Sequence, residues 1–276
     1  MTTATLDRAA NPSSPSLTEG RYGFRTVAQM EWLKLRSVRS TWWTLLIFAA
    51  GMIGLAILVM AHQNPASAVA HRAAFDPTND SYAGLAIGQL ALGVLGVLAV
   101  TSEFSSGMIR ATFAAAPRRP LVLAAKAAIV AAVTLVAGEI LAFVAFGVGE
   151  AVLKSPAPHA ALGQPGVLRA VLMAGAYPAL IALIGLGLGA LIRHTAGAIS
   201  AVVGVLFVLP LILIPFGTSI QNSAGKFMPM LIAENSLTAV KPLAHSLSPG
   251  VGFVVLCGYA AAALAVGAWA LARRDA

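Results

Sequence analysis

The amino-acid sequence predicts an all-α membrane protein with six transmembrane helices. Of its 276 residues, 58% are hydrophobic and only 10% are charged, which lies outside the usual range of soluble domains. Six apolar runs also approach the roughly 20 residues that cross a bilayer as a helix. A bilayer leaves no water to satisfy the backbone, so runs of this length are predicted to be helical. The predicted spans are residues 42–61, 83–100, 127–149, 171–192, 197–216 and 251–271.

The distribution of basic residues predicts the orientation of these spans. Thirteen of the eighteen Lys and Arg residues fall on one side of the predicted bundle. Positive charge concentrates on the cytoplasmic side of membrane proteins, so both termini and segment 101–126 are predicted to be cytoplasmic. The net charge of +8 does not indicate nucleic-acid binding, because the basic residues flank apolar runs instead of forming one polar patch.

The region before the first span divides into two parts. Residues 1–20 are rich in Thr, Ser, Ala, Asn and Pro and are predicted to be a disordered cytoplasmic tail. Residues 21–40 have an amphipathic pattern, which predicts a helix on the inner leaflet. Glu31 interrupts its apolar face, and a solvated edge is favoured over a buried or paired carboxylate. Residues 21–276 are taken as one transmembrane domain.

Segment 101–126 is a polar and basic interruption between the second and third spans. Helical spacing over residues 103–116 places Glu103 and Arg110 on one face, and Phe104 and Met108 on an apolar one. Pro117 is predicted to end this helix, because proline lacks a backbone donor and disfavours helical geometry before it. On spacing alone, Glu103 and Arg110 are interpreted as solvated surface charges.

Prolines also shape the region before the last span. Segment 217–250 is predicted to lie outside, yet it contains apolar patches broken by prolines. Short interfacial or re-entrant helices fit this pattern better than a solvated loop. Pro210 and Pro215 are predicted to bend the fifth span or end it early.

Glu139 is the acidic residue predicted nearest the middle of the membrane. Insertion of an acid there costs about 3 kcal/mol, which the apolar residues of the third span offset. Three interpretations stay open: Glu139 lines a substrate pathway, exchanges a proton during transport, or is a protonated or hydrogen-bonded packing residue.

The sequence contains no motif for enzymatic chemistry. It lacks a phosphate-binding loop, an HExxH motif and a GxSxG motif, and its five histidines are scattered. Its single cysteine, Cys257, permits neither an intrachain disulfide nor a cysteine cluster. No catalytic residue, metal site or cofactor is therefore predicted in this chain.

Four features in order resemble a known family. They are EWLKLRSVRS at residues 31–40, E-x-x-x-G at Glu103 and Gly107, P-x-R at Pro117 and Arg119 followed by Lys126, and the apolar proline-bearing stretch at residues 227–229. Together with six spans, this order resembles the permease subunit of bacterial type-2 ATP-binding-cassette transporters.

The resemblance implies roles for these residues. In relatives, the segment between the second and third spans forms a coupling helix that docks into a separate ATPase subunit. Residues implied at or beside that surface are Glu103, Gly107, Arg110 and Glu31. Residues implied to end the element and hold the third span at the lipid headgroups are Pro117, Arg119 and Lys126.

The function implied by the resemblance is ATP-driven transport, usually export, in the bacterial plasma membrane. The expected partners are a cassette ATPase that carries ATP and Mg²⁺, a second identical or similar permease, and the lipid bilayer. Two alternatives stay open, namely a proton-coupled secondary transporter that uses Glu139 and a non-transporting membrane partner subunit.

Overall fold

The computed structural model describes residues 23–240 and 246–273, which form helices and connecting segments without a β-strand. The predicted tail 1–20 and residues 241–245 of the predicted outer segment lie outside the described residues. In chain order the α-helices are α1 (Phe24–Ser37), α2 (Arg39–His62), α3 (Pro65–Ala70), α4 (Pro77–Asp80), α5 (Leu85–Ser105), α6 (Met108–Ala115), α7 (Arg119–Val152), α8 (Val167–Ile192), α9 (Thr195–Val203), α10 (Leu209–Leu213), α11 (Thr218–Ala224), α12 (Pro229–Leu237) and α13 (Pro249–Arg273).

Within the described residues, six helical segments are long and apolar enough to cross a membrane, so the chain is a multi-pass membrane protein. They are α2, α5, α7, α8, the segment Thr195–Phe216 and α13. Each contains most or all of one predicted span, and the predicted all-α fold with six transmembrane helices is confirmed. The largest difference is in the third span, where α7 begins at Arg119 and not at residue 127, because the helix already starts directly after Pro117 and Arg118.

Helix α8 lies at the centre of the bundle and is the most buried of the six. It packs against α5, α7 and α13. At the crossing with α5, a Cβ atom on Gly96 would lie 1.9 Å from the carbonyl oxygen of Ala182. Only a residue without a side chain permits this approach, so Gly96 sets the distance between the two helices.

The fifth span is irregular, in agreement with the prediction from Pro210 and Pro215. Helix α9 continues into a π-helical turn, Gly204–Val208, and the span ends in a 3-10 turn, Ile214–Phe216. Pro210 cannot donate a backbone hydrogen bond. The N–H of Leu209, the residue before Pro210, donates to the carbonyl of Gly204. Because this bond reaches back five residues and not four, the turn is wider than an α-helical turn.

The two ends of the bundle differ in composition. We call one the basic end, and it carries α1, α6 and the last turn of α13. There Arg119 donates a hydrogen bond to the carbonyl of Leu271, and Arg193 donates one to the carbonyl of Ala270. The opposite end carries α3, α4 and α12. There Asp76 accepts hydrogen bonds from the backbone N–H groups of residues 239 and 240, which fixes α4 to the segment after α12. The short helices α11 and α12 lie in segment 217–250 before the last span, as predicted.

Candidate functional site at the basic end

A break at Gly107 separates α5 from α6. Gly107 has φ +72°, a left-handed conformation that residues with a side chain rarely adopt. The prediction of one helix over residues 103–116 is therefore wrong. The break turns Glu103 inward and leaves Arg110 exposed, so the two residues do not share a face. It also exposes Met108, which was predicted to be on the apolar face, and Ile109 is buried in its place.

The far end of α6 agrees with the prediction. The helix ends at Ala115, immediately before Ala116 and Pro117, and α7 begins at Arg119 with Pro120 in its first turn. Pro117 is exposed. The eight residues of α6 are thus held between a left-handed glycine and a proline, which gives them a direction independent of α5.

Four charged side chains meet beneath α6 in a closed arrangement, which we call the ion-pair ring: Glu31 and Lys34 of α1, Glu103 of α5 and Lys126 of α7. Lys34 Nζ lies 2.9 Å from Glu31 Oε1 and 3.0 Å from Glu103 Oε1. Lys126 Nζ lies 2.7 Å from Glu103 Oε1 and also donates to Glu31 Oε2. Each ammonium contacts both carboxylates, so the four formal charges balance.

Thr112 connects α6 to this ring. Its hydroxyl donates to Glu103 Oε2 over 3.1 Å and accepts a hydrogen bond from Lys34 Nζ over 3.2 Å. Thr112 is 5% exposed. The ring therefore joins α1, α5 and α7, and α6 is attached to it through a buried side chain.

Burial shows that the ring is an internal structure. Glu31 is 3% exposed and both Glu103 and Lys126 are 5% exposed. The interpretation of Glu31 and Glu103 as solvated charges is therefore wrong, because each carboxylate finds two ammonium partners inside the protein. The Lys126 ammonium also points to these carboxylates, not outward to the headgroup region as the resemblance implied.

Lys34 is the least buried member of the ring. Burial alone would lower the pKa of Lys34, but the hydrogen bonds and negative charges of Glu31 and Glu103 outweigh it and raise the pKa above its ordinary value. Lys34 is therefore charged at physiological pH, and it supplies one of the two positive charges that the carboxylates require.

Two arginines connect this region to the last span. The Arg119 guanidinium lies 5.3 Å from the ring centroid of Phe113 on α6, and that of Arg193 lies 5.2 Å from Phe104 on α5. Both also donate to carbonyls in the last turn of α13, which have no partner within a helix. Arg119 thus links α6 to α13, a contact beyond the headgroup role implied for it.

Sequence reasoning missed Lys34, Thr112 and Arg193 as members of this site. Lys34 follows Glu31 by three residues, a spacing at which side chains on a helix meet, so this pair alone could have been found. The other contacts cross between helices and leave no periodic signal.

The outer surface of α6 is exposed at Arg110, Ala111 and Ala114. Arg110 forms no ion pair within the part of the chain that the structure describes. The adjoining turn exposes Ser106 and Met108. This surface combines one cationic group with small residues, which lets another protein approach closely.

A cavity of about 280 Å³ lies beside the ring, between α1, α2, α5 and α7. The ring residues form one part of its wall, and the remainder is mainly apolar, with Leu35, Leu95 and Ile129 among the lining residues. The ring is therefore packed on one side and open to this space on another.

Glu139 is separate from this site. It lies on α7 against Gly175 of α8, where a Cβ atom on Gly175 would come within 2.6 Å of the Glu139 carboxyl carbon. Its Oε2 atom is buried and has no hydrogen-bond partner among the described residues. Glu139 is not among the residues that line the cavity beside the ring.

Known proteins give no independent identification. No model of a protein family matches the sequence, and no curated protein matches it. Within residues 23–240 and 246–273, no group of three or more His, Cys, Asp or Glu side chains is placed to hold a metal ion.

Proposed function

We propose that this chain is the permease subunit of an ATP-driven exporter in a bacterial plasma membrane, with its basic end in the cytoplasm. A separate cassette ATPase binds ATP and Mg²⁺ and docks against α6, and a second permease copy completes the pathway. Support comes from six spanning helices, the excess of Lys and Arg at the basic end and the order of the family-like features.

The observation that carries the proposal is the attachment of α6 to the ion-pair ring. An ATPase that changes shape can move spans only if its docking element is firmly connected to them. Thr112 connects α6 to Glu103 of α5, and Glu103 connects it to Lys126 of α7. A force on α6 therefore reaches two spans through buried contacts.

Helix α1 belongs to the same moving unit. Glu31 joins it to Lys126, and Val27 packs with Ala116 and Val122 next to α6 and α7. Helix α1 would consequently move with α6 and α7 when the ATPase changes shape. In this mechanism the outer surface of α6, at Arg110, contacts the ATPase. The positioning residues are Glu31, Glu103 and Lys126.

Copurification tests the proposal. The tagged full-length chain is isolated in mild detergent from its own host, and an Arg110→Glu variant is compared with wild type. We expect a cassette ATPase with wild type and its loss with the variant, because the reversed charge lies in the contact. An Arg72→Glu variant, changed at the opposite end of the bundle, should keep the ATPase.

If no ATPase is recovered with wild type even after crosslinking, the proposal is wrong. Recovery of an ATPase by wild type without any transport in reconstituted vesicles would favour a non-transporting partner subunit.

A second candidate is a proton-coupled secondary transporter. It is favoured by one observation, the buried and unpartnered Oε2 atom of Glu139 within a spanning helix, because acids at this depth often take part in proton relays. In this case Glu139→Gln would abolish uptake driven by a proton gradient in vesicles, whereas an ATP-driven exporter would need ATP instead.

A further inference from the structure

A second cavity, of about 220 Å³, lies at the opposite end of the bundle between α4, α5, α8 and α12. Its walls are mainly apolar, with Leu85, Ala86, Met230, Ala233 and Leu237 among the lining residues. It is separated from the ion-pair ring by most of the length of α5. These walls can bind a small apolar group of a ligand.

Two carboxylates border this cavity, Asp80 at the end of α4 and Glu234 on α12. No Lys, Arg or His occurs among the described residues that line it. Asp80 accepts a hydrogen bond from the neutral amide of Gln63 over 2.9 Å, and it lies near a second acid, Asp76. The Asp80 charge is therefore half-buried without a cationic partner in the described part of the chain.

The inner part of the cavity is polar. Gln89 and Tyr177 line it and are 1% and 2% exposed, and the Tyr177 hydroxyl donates to Gln89 Oε1. Gln89 Nε2 donates to the carbonyl of Ala86. Both polar atoms of the Gln89 amide therefore have partners within the protein, and the charges that border the cavity are the two carboxylates.

We infer that this cavity binds an organic cation with an apolar body, its positive charge at Asp80 and Glu234 and its apolar part against α5 and α12. The apolar walls favour such a ligand over a bare metal ion, which requires several oxygen ligands. The missing countercharge of Asp80 favours a cation over a neutral or anionic molecule.

The inference deepens the proposed function. It rests on that function in one respect, namely that the bound cation is the molecule that is transported. Binding itself requires this chain alone. Failure to find an ATPase would thus leave binding intact, and absence of binding would leave the ATPase contact intact.

The test uses benzyltrimethylammonium, whose positive charge does not depend on pH. The full-length chain is placed in lipid nanodiscs at pH 8, and binding is measured by titration calorimetry with empty nanodiscs subtracted. We expect one saturable site. Benzyl alcohol, which has the same ring without a charge, should bind at least tenfold more weakly.

Charge-neutral variants locate the site. Asp80→Asn keeps the side-chain shape and should weaken benzyltrimethylammonium binding about tenfold, the effect of one nearby charge in a partly screened setting. Glu234→Gln, at an exposed position, should weaken it by a similar or smaller factor without a risk to folding. Glu150→Gln, at the same end but outside the cavity, should change affinity less than twofold.

Three results would overturn the inference: no saturable binding of benzyltrimethylammonium to wild type, equal binding of benzyl alcohol, or unchanged affinity in both Asp80→Asn and Glu234→Gln.

Discussion

Lys126 on α7 and Glu103 on α5 form a buried ion pair, with Nζ 2.7 Å from Oε1. They are 23 residues apart in the chain and belong to different spanning helices. A buried charge without a partner is much more costly than one with an opposite charge beside it. The pair and its two partners therefore decide how α1, α5, α6 and α7 fit together.

Removal of one ring charge should destabilise the protein strongly. Lys126→Met leaves Glu31 and Glu103 with only Lys34, so we expect a loss of about 3–5 kcal/mol of unfolding free energy. The double variant Lys126→Met with Glu103→Gln leaves the balanced pair Glu31–Lys34 and should recover part of that loss. Thermal unfolding in detergent measures both, and a double variant that is no more stable than Lys126→Met alone would contradict charge balance.

Gly107→Ala tests the left-handed turn. A side chain at φ +72° costs about 1–2 kcal/mol, although the space around Gly107 is open. We expect lower thermal stability and weaker ATPase recovery, because α6 must tilt to relieve the strain. Gly147→Ala, at a helical position that is equally open, should be neutral or slightly stabilising. Equal behaviour of the two variants would show that the turn does not require glycine.

Gly96→Ala tests the crossing of α5 and α8. Its methyl group would lie 1.9 Å from the Ala182 oxygen, so the helices must separate, at a cost of about 3 kcal/mol. Gly54→Ala has nothing within 4 Å of the added atom and serves as the matched control. Thermal unfolding should distinguish them clearly, and a Gly96→Ala protein as stable as wild type would refute the close crossing.

The charge state of Asp80 should make cation binding depend on pH. Burial, together with the neighbouring Asp76 charge, raises the pKa of Asp80 to about 6. Asp80 also faces Glu234 across the cavity and the neutral Gln63 amide at the end of α2. Benzyltrimethylammonium affinity should therefore fall as the pH drops from 8 to 5, and Asp80→Asn should lose much of this dependence.

The raised pKa of Asp80 should also affect stability. Whereas cation affinity falls as the pH drops, the free energy of unfolding should rise. The folded protein holds the Asp80 proton more tightly than the unfolded chain, so protonation stabilises the fold as the pH falls through about 6. Asp80→Asn should consequently stabilise the protein at pH 8 and have little effect at pH 4.5. Thermal midpoints at the two pH values provide the measurement, and a larger gain at the lower pH would contradict the assignment.

Sequence reasoning succeeded where the signal is local. Apolar length identified the six spans, and Pro117, Pro210 and Pro215 each affect the backbone close to their own position. The ion-pair ring could not be predicted in the same way. Glu31 and Lys126 are 95 residues apart, and helical periodicity shows which residues share a face without showing which helix covers it.

Gly107 explains why the prediction for segment 103–116 was wrong. A glycine within a helical pattern is usually tolerated, so residues 103–116 fitted one helix. The left-handed turn reversed the expected exposure of Glu103 and Met108. Glu31, Glu103 and Lys126, three residues to which the resemblance gave separate roles, meet in the ion-pair ring.

The most direct test of α6 as the docking element is site-specific photocrosslinking in the native host. A photoreactive amino acid replaces Ala111 or Ala114 on the exposed surface of α6, which keeps Arg110 in place, and Arg72 at the opposite end serves as the control position. The account predicts a crosslinked cassette ATPase, identified by mass spectrometry, from the two α6 positions and none from position 72. Crosslinks from α6 to lipid alone, or an ATPase captured only from position 72, would contradict it.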